Sequence, residues 1–285
     1  MNKGVAYMGL AVVFFAVMNV AIKYVAHLPT FELVFFRALI AASIAYTTLR
    51  VKGIPAWGNR KGLLILRGVF GFGALSMFIA TLQNMPMATA LVIQYMSPVF
   101  VAILGIFLLK EPMRPLQWVW LVMAFAGVVM IKGFDPRVSI LYLSIGIASC
   151  ILSAFAYTTV RSLKDTDHPL VVVFYFPLVT LPVAGLLMWY QWRHIGVSEF
   201  IFEQHTLEDW LWIVVMGVFA QLGQIFMTLS LHLEKANVVS SMSYLGMIFG
   251  LIFGYFLFGE TYGIWAAAGI FLVLLGVLLN VFVRE

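Results

Sequence analysis

The sequence predicts an all-α integral membrane protein with ten transmembrane helices, arranged as two inverted repeats of five helices. Of its 285 residues, 63% are apolar and only 10% are charged, against roughly 45–50% and about 25% in a soluble domain. No soluble fold could cover that much apolar surface, so lipid must be the solvent for most of it. The second half of the chain also repeats the first, which divides it into units 1–135 and 136–285.

Ten segments are long and apolar enough to cross a bilayer, whose core needs about 20 residues of helix. Turn residues such as Pro29, Gly53, Pro86 and Pro136 separate them. A closed barrel would show period-2 alternation, and these runs have none. The predicted spans are 4–26, 30–50, 62–83, 87–109, 115–132, 139–161, 168–191, 208–232, 236–258 and 262–283.

The repeat is visible when residues 67–128 are shifted forward by 149 positions, because the match then needs no gap. A shift of 140 extends it upstream and aligns Phe36 with Phe176. Self-similarity at this scale indicates duplication of one structural unit. The aligned pairs include Gly68 with Gly217, Leu82 with Leu231, Tyr95 with Tyr244, Gly105 with Gly254 and Glu111 with Glu260.

The loop charges predict the orientation. With the N-terminus in the cytoplasm, eleven Lys and Arg residues fall on the cytoplasmic side and four on the other, which satisfies the positive-inside rule. We therefore expect a multi-pass protein of the inner (plasma) membrane with both termini cytoplasmic. Because each unit has an odd number of helices, the second enters the membrane upside down, as inverted repeats of transporters do.

Particular residues resemble the EamA-type drug/metabolite transporter superfamily. They are the run 31–37 (FELVFFR) in the second span, Arg67-Gly68 opening the third, and Ser97-Pro98 with the ending Leu109-Lys110-Glu111 in the fourth. The resemblance covers nearly the whole chain. It implies a central cavity lined by spans one to four and six to nine, with spans five and ten at the periphery. Members of this superfamily move amino acids, drugs, S-adenosylmethionine and nucleotide sugars, so the resemblance does not fix the substrate.

Charges inside a membrane face a cavity or a partner by default, and this chain has few. Arg37, whose counterpart in the repeat is Pro177, is either a substrate contact or a structural donor to free carbonyls. Glu32 is the only carboxylate well placed in a span, which makes it the candidate for proton coupling; the alternative is a salt bridge to Lys23. Arg67 lies about a turn inside its span, and we expect it to extend to the headgroups.

Uncharged polar residues cluster beside helix breakers in the fourth and ninth spans, where a break can line a cavity. Packing of small residues is the alternative. Glu111 and Glu260 precede the following helices, and we expect them to complement helix dipoles. The predicted substrate-binding residues are Asn19, Arg37, Gln94, Tyr95, Ser243 and Tyr244.

The leading hypothesis is a secondary transporter that moves a small polar or amphipathic metabolite, amino-acid-like or otherwise carboxylate-bearing, by alternating access. A lipid flippase stays open, because Gly246, Gly250 and Gly254 could line an opening toward lipid. An intramembrane enzyme would need a catalytic constellation that the spans lack. We expect an anionic or zwitterionic small-molecule substrate, proton or exchange coupling, no cofactor, no metal and no nucleic-acid partner.

Overall fold

The computed structural model describes residues 3–108, 115–194, 205–233 and 245–282, which form helices joined by short connections, with no strand among them. The helices are α1 (Lys3–Tyr24), α2 (Thr30–Val51), α3 (Lys61–Asn84), α4 (Met87–Gln94), α5 (Ser97–Leu108), α6 (Pro115–Phe134), α7 (Ile140–Ser162), α8 (Pro169–His194), α9 (Leu207–Leu233), α10 (Leu245–Phe258) and α11 (Ile264–Phe282).

Within the described ranges, six helices are long and apolar enough to cross a membrane: α1, α2, α3, α7, α8 and α9. The other apolar helices are shorter, so length alone does not establish ten spans. The all-helical prediction is confirmed.

The fourth predicted span is not one helix. It divides into α4 and α5, with Tyr95 and Met96 between them in a turn. The physical reason is Pro98, which has no N–H to donate to the carbonyl of Gln94 four residues earlier. The chain turns tightly there instead, because the Met96 N–H donates to the Ile93 carbonyl at 2.9 Å. The break places Gln94 and Tyr95 at the end of a helix deep in the bundle.

The main packing partners join the first half of the chain to the second: α1 with α9, α6 with α11, α3 with α7 and α2 with α8. Exchanging the two halves maps this set of pairs onto itself, since α1–α9 becomes α7–α3 and the remaining pairs map onto themselves. The duplication that the sequence predicts would produce such a pattern. The largest apolar core lies between α1, α2, α3, α4, α8 and α9.

Helices α6 and α11, the fifth and tenth predicted spans, pack on each other through glycine. A Cβ on Gly127 would lie 2.6 Å from the carbonyl oxygen of Gly269, so the two backbones are in contact, as small residues allow in membrane helices. Neither helix lines the central cavity. This position agrees with the peripheral place that the family resemblance implies for them.

Candidate functional site

A central cavity of about 170 Å³ lies between seven helices, α1 to α4 and α7 to α9. Most of its wall is apolar, and its polar groups come from both halves of the chain. It is lined by Met8, Val12, Phe15, Met18, Asn19, Arg37, Arg67, Gly71, Ala74, Leu75, Phe78, Leu91, Gln94, Tyr95, Ser153, Ala156, Tyr157, Phe176, Gln224 and Met227.

Four predicted site residues line this cavity: Asn19, Arg37, Gln94 and Tyr95. They come from three different parts of the first half, and the fold brings them to one cavity. The other two, Ser243 and Tyr244, lie outside the described residues. The symmetric pair of tyrosines therefore stays a prediction.

Gln94 is held at the end of α4 by two serines of α7. Its Nε2 donates to Ser153 Oγ at 3.0 Å, and its Oε1 lies 3.1 Å from Ser149 Oγ. The Ser149 hydroxyl also donates to the Ala74 carbonyl of α3 at 2.7 Å. Sequence reasoning missed both serines, although their i, i+4 spacing puts them on one face of α7.

The glycines of α10 face protein. A Cβ on Gly246 would collide with the Tyr95 hydroxyl, and one on Gly250 would collide with Leu91 Cδ1. A Cβ on Gly254 would lie 2.7 Å from Glu260 Oε2. These glycines therefore make room for α4 and for Glu260 and do not open a path to lipid, which removes the observation that favoured a flippase.

Two arginines enter the cavity, and both are buried: Arg37 of α2 is 5% exposed and Arg67 of α3 is 3% exposed. Both guanidinium groups lie over the ring of Phe176, with their central carbons 5.5 and 4.3 Å from its centroid. Gly71 makes this arrangement possible, because a Cβ there would collide with Arg67 Nη1 and lie 2.8 Å from the Phe176 ring. The expectation that Arg67 extends to the headgroups is wrong, since its side chain turns into the bundle.

Neither guanidinium has a carboxylate or a hydrogen-bond acceptor as partner among the described residues. Arg37 Nε and Arg67 Nε and Nη1 are buried and unsatisfied. Burying an ion costs several kcal/mol, whereas a desolvated cation–π contact returns only about 2 kcal/mol. Among the described residues, no acidic group therefore neutralises the positive charge of the cavity.

Glu32 does not line the cavity, and its predicted bridge to Lys23 is wrong. Glu32 Oε1 lies 2.5 Å from His205 Nε2 in a buried pair. Lys23 Nζ donates to the Met85 carbonyl at 2.6 Å and lies 3.7 Å from Glu260. His205 stands just before α9, and no pattern in the sequence indicated that α9 would begin against Glu32.

Glu260 acts on a different helix from the one predicted. Its Oε1 accepts the Met87 N–H at 2.7 Å, so it complements the N-terminus of α4 and not that of the helix following it in sequence. Its Oε2 accepts the Tyr262 hydroxyl at 2.7 Å. Glu111 lies outside the described residues.

Polar contacts tie the two halves together at both ends of the bundle. At one end, which we call the Glu32 end, the ties are Glu32–His205, Lys23–Glu260 and His27–Asp209, the last at 3.2 Å. At the opposite end, which we call the Asp167 end, Asp167 accepts the Asn59 N–H at 2.6 Å. In the part of the chain that the structure describes, no three potential ligand side chains cluster to hold a metal ion.

A bundle of apolar helices around a cavity with a few buried polar groups is an architecture of membrane transport, and the sequence comparisons identify the family. The chain belongs to the EamA-like transporter family, which matches residues 2–133 and again 138–282. It is therefore a multi-pass membrane protein and a transporter, not an enzyme, and the resemblance found in the sequence is confirmed.

Individual relatives match along most of their length. The chain is 31% identical over 263 residues to the pseudopaline exporter CntI of Pseudomonas aeruginosa, covering 92% of this chain and 89% of the relative. The S-adenosylmethionine uptake transporter of Rickettsia prowazekii is 25% identical, with 90% and 85% covered. One solved crystal structure superposes on this chain along the full length of both proteins. The TM-score is 0.71 at 16% sequence identity, which shows a shared fold.

The unpaired charge leads to a stability prediction. Replacing Arg67 by methionine should raise the free energy of unfolding of the ligand-free protein by roughly 1–4 kcal/mol, because an uncompensated buried ion is removed. Thermal unfolding in detergent measures the change. A lower melting temperature than wild type would show that the guanidinium holds the helices together.

Arg137→Met is the matched control, because Arg137 has a partner. Its guanidinium hydrogen-bonds to Asp135 and thereby holds the pKa of that carboxyl below its usual value. The pair therefore stabilises the fold at neutral pH, and this contribution is lost as the pH falls through the lowered folded-state pKa. Arg137→Met should destabilise the protein by about 1–3 kcal/mol at neutral pH, and by less in acid.

Proposed function

We propose that this protein is a secondary transporter that moves a small polar or amphipathic metabolite bearing a carboxylate, amino-acid-like or otherwise, by alternating access. The observation that carries the proposal is the buried guanidinium of Arg37, which faces the central cavity without an acidic partner among the described residues. A guanidinium stays charged at physiological pH and binds a carboxylate through two parallel hydrogen bonds.

The named relatives support a small metabolite as substrate. One is an exporter of pseudopaline and another takes up S-adenosylmethionine. These names differ both in compound and in direction, so the family supports the class of substrate and not its identity.

Alternating access through two inverted five-helix repeats is supported by the two family matches, one in each half. The packing pairs that map onto themselves when the halves are exchanged support it further. The ties at the two ends of the bundle also join one half to the other. Opening the cavity at the Glu32 end would break the Glu32–His205 and Lys23–Glu260 pairs, while the Asp167–Asn59 contact keeps the other end closed.

The main test is a thermal-shift screen of the purified chain against amino acids, organic acids and nucleosides, since a ligand of the folded state raises the melting temperature. The compounds that bind should carry a carboxylate. Arg37→Gln should lose about 2 kcal/mol or more of their binding energy, whereas Arg37→Lys should retain part of it.

Arg50→Gln is the control, because Arg50 is exposed and stacks on Tyr46 away from the cavity. It should bind the same compounds as wild type. If the best ligands are cations or uncharged compounds, or if a stable Arg37→Gln protein keeps full affinity, the carboxylate carrier is excluded.

We further propose that the protein lies in the inner (plasma) membrane with both termini and the Asp167 end in the cytoplasm, on the basis of the Lys/Arg asymmetry. An impermeant maleimide added to intact cells should label Asn84→Cys and not Lys52→Cys, both of which replace exposed residues at opposite ends. Wild type should stay unlabelled because Cys150 is buried. Labelling of Lys52→Cys alone would invert the topology.

Glu32 remains our candidate for the coupled proton. It is a buried carboxylate next to a histidine, and its Oε2 has no hydrogen-bond partner in the described ranges. We expect an inward proton gradient to drive transport into liposomes by wild type and by Glu208→Gln, which removes an exposed carboxylate of α9. Glu32→Gln should transport without responding to the gradient. Transport that requires a second solute inside the liposomes, and no gradient, would instead indicate exchange.

A further inference from the structure

Two guanidinium groups of different helices share one cavity and one aromatic ring. Arg37 and Arg67 come from α2 and α3, and each lies over Phe176 of α8. Because both central carbons lie within cation–π distance of the same centroid, they are no more than about 10 Å apart. The cavity therefore presents two fork-shaped donors that one small molecule can reach together.

The described part of the lining supplies no negative charge to balance the two guanidinium groups. Among the described residues that line the cavity, none is Asp or Glu, and both arginines have buried nitrogen atoms without an acceptor. A ligand with one negative charge would pair with one guanidinium and leave the other uncompensated in a region of low dielectric.

We infer that the transported solute is a small organic dianion whose two carboxylates bind Arg37 and Arg67, one to each. This inference rests on the proposed carrier function and narrows its substrate class. Each planar guanidinium matches one carboxylate in a bidentate pair, and both guanidinium groups lie over the ring of Phe176.

The volume of the cavity limits the length of this dianion, and its other lining residues determine which further groups the dianion carries. A volume of about 170 Å³ is below the ~300–1,000 Å³ of pockets for drug-sized ligands, so the chain linking the carboxylates is short. Phe78 and Met18 supply apolar wall for that chain. Asn19 Oδ1 is buried and lacks a partner within the described ranges, and it accepts a hydroxyl or amino hydrogen of the solute.

The test compares ligands that differ only in charge. Succinate, glutarate and adipate, each with its monomethyl and dimethyl ester, are titrated against the purified full-length protein and followed by thermal shift. At least one dicarboxylate should bind about 10-fold or more tightly than its monoester, since the second bidentate pair is lost in the ester. Arg37→Gln and Arg67→Gln should each abolish this difference, while Arg50→Gln should retain it.

Gly71→Ala provides a second variant that keeps both charges. The added methyl group displaces the Arg67 guanidinium and the Phe176 ring, so dicarboxylate binding should weaken more than monoester binding. Gly62→Ala is its control on the same helix, because a Cβ there meets nothing within 4 Å. If the folded Gly71→Ala protein still binds dicarboxylates more tightly than monoesters to the same extent, the binding of one carboxylate to each arginine is contradicted.

The outcomes distinguish failure of this inference from failure of the proposed carrier function on which it rests. If dicarboxylates and monoesters bind with equal affinity, the dianion inference is rejected and the proposed carboxylate carrier is not. Sulfate that binds as tightly as the dicarboxylates, with the same dependence on both arginines, overturns the two-ended arrangement. If no carboxylate binds at all, the dianion and the carboxylate carrier are both rejected.

Discussion

The main constraint on this structure is positive charge in the middle of an apolar bundle, with no acidic partner among the described residues. Arg37 and Arg67 are buried with nitrogen atoms that have no acceptor among the described residues. That state costs free energy, and the fold reduces the cost through the ring of Phe176 and the absence of a side chain at Gly71. A site that is unfavourable when empty gains most when an anion fills it, and differential stabilisation of this kind lets a ligand shift a conformational equilibrium.

At both ends of the bundle, polar contacts join the two halves of the chain on either side of this charged centre. At the Glu32 end the pairs Glu32–His205, Lys23–Glu260 and His27–Asp209 join one half of the chain to the other, and the Asp167–Asn59 contact does so at the opposite end. Apolar packing, which has no directional preference, also joins the halves, because the largest apolar core combines helices of both. Relative movement of the halves must therefore break the polar contacts near the ends, and also the Gln94–Ser153 contact at the cavity.

Sequence reasoning went furthest where a local pattern determines the structure. Long apolar runs predicted the helices, Pro98 predicted disruption of the fourth span, and Asn19, Arg37, Gln94 and Tyr95 were placed in the cavity they line. It failed where the partner is distant in sequence. Glu32 pairs with His205, 173 residues away, and Glu260 complements the N-terminus of α4. The direction of the Arg67 side chain depends on Gly71 and on Phe176 of another helix, so its position near a span end suggested the wrong environment.

Helix α4 connects the centre to one of the ends. It has only eight residues, Met87–Gln94, so it is too short to cross the bilayer, and it ends at the turn formed by Tyr95 and Met96. Its first N–H is held by Glu260, which also lies beside Lys23 at the Glu32 end. Its last residue, Gln94, lines the cavity and bonds to Ser153 of α7. A ligand that contacts Gln94 or Tyr95 is therefore at one end of α4. The other end of α4 is hydrogen-bonded to Glu260, which pairs with Lys23 across the two halves. Since Pro98 prevents α4 from continuing into α5, the same break that brings these polar groups to the cavity also separates α4 from α5.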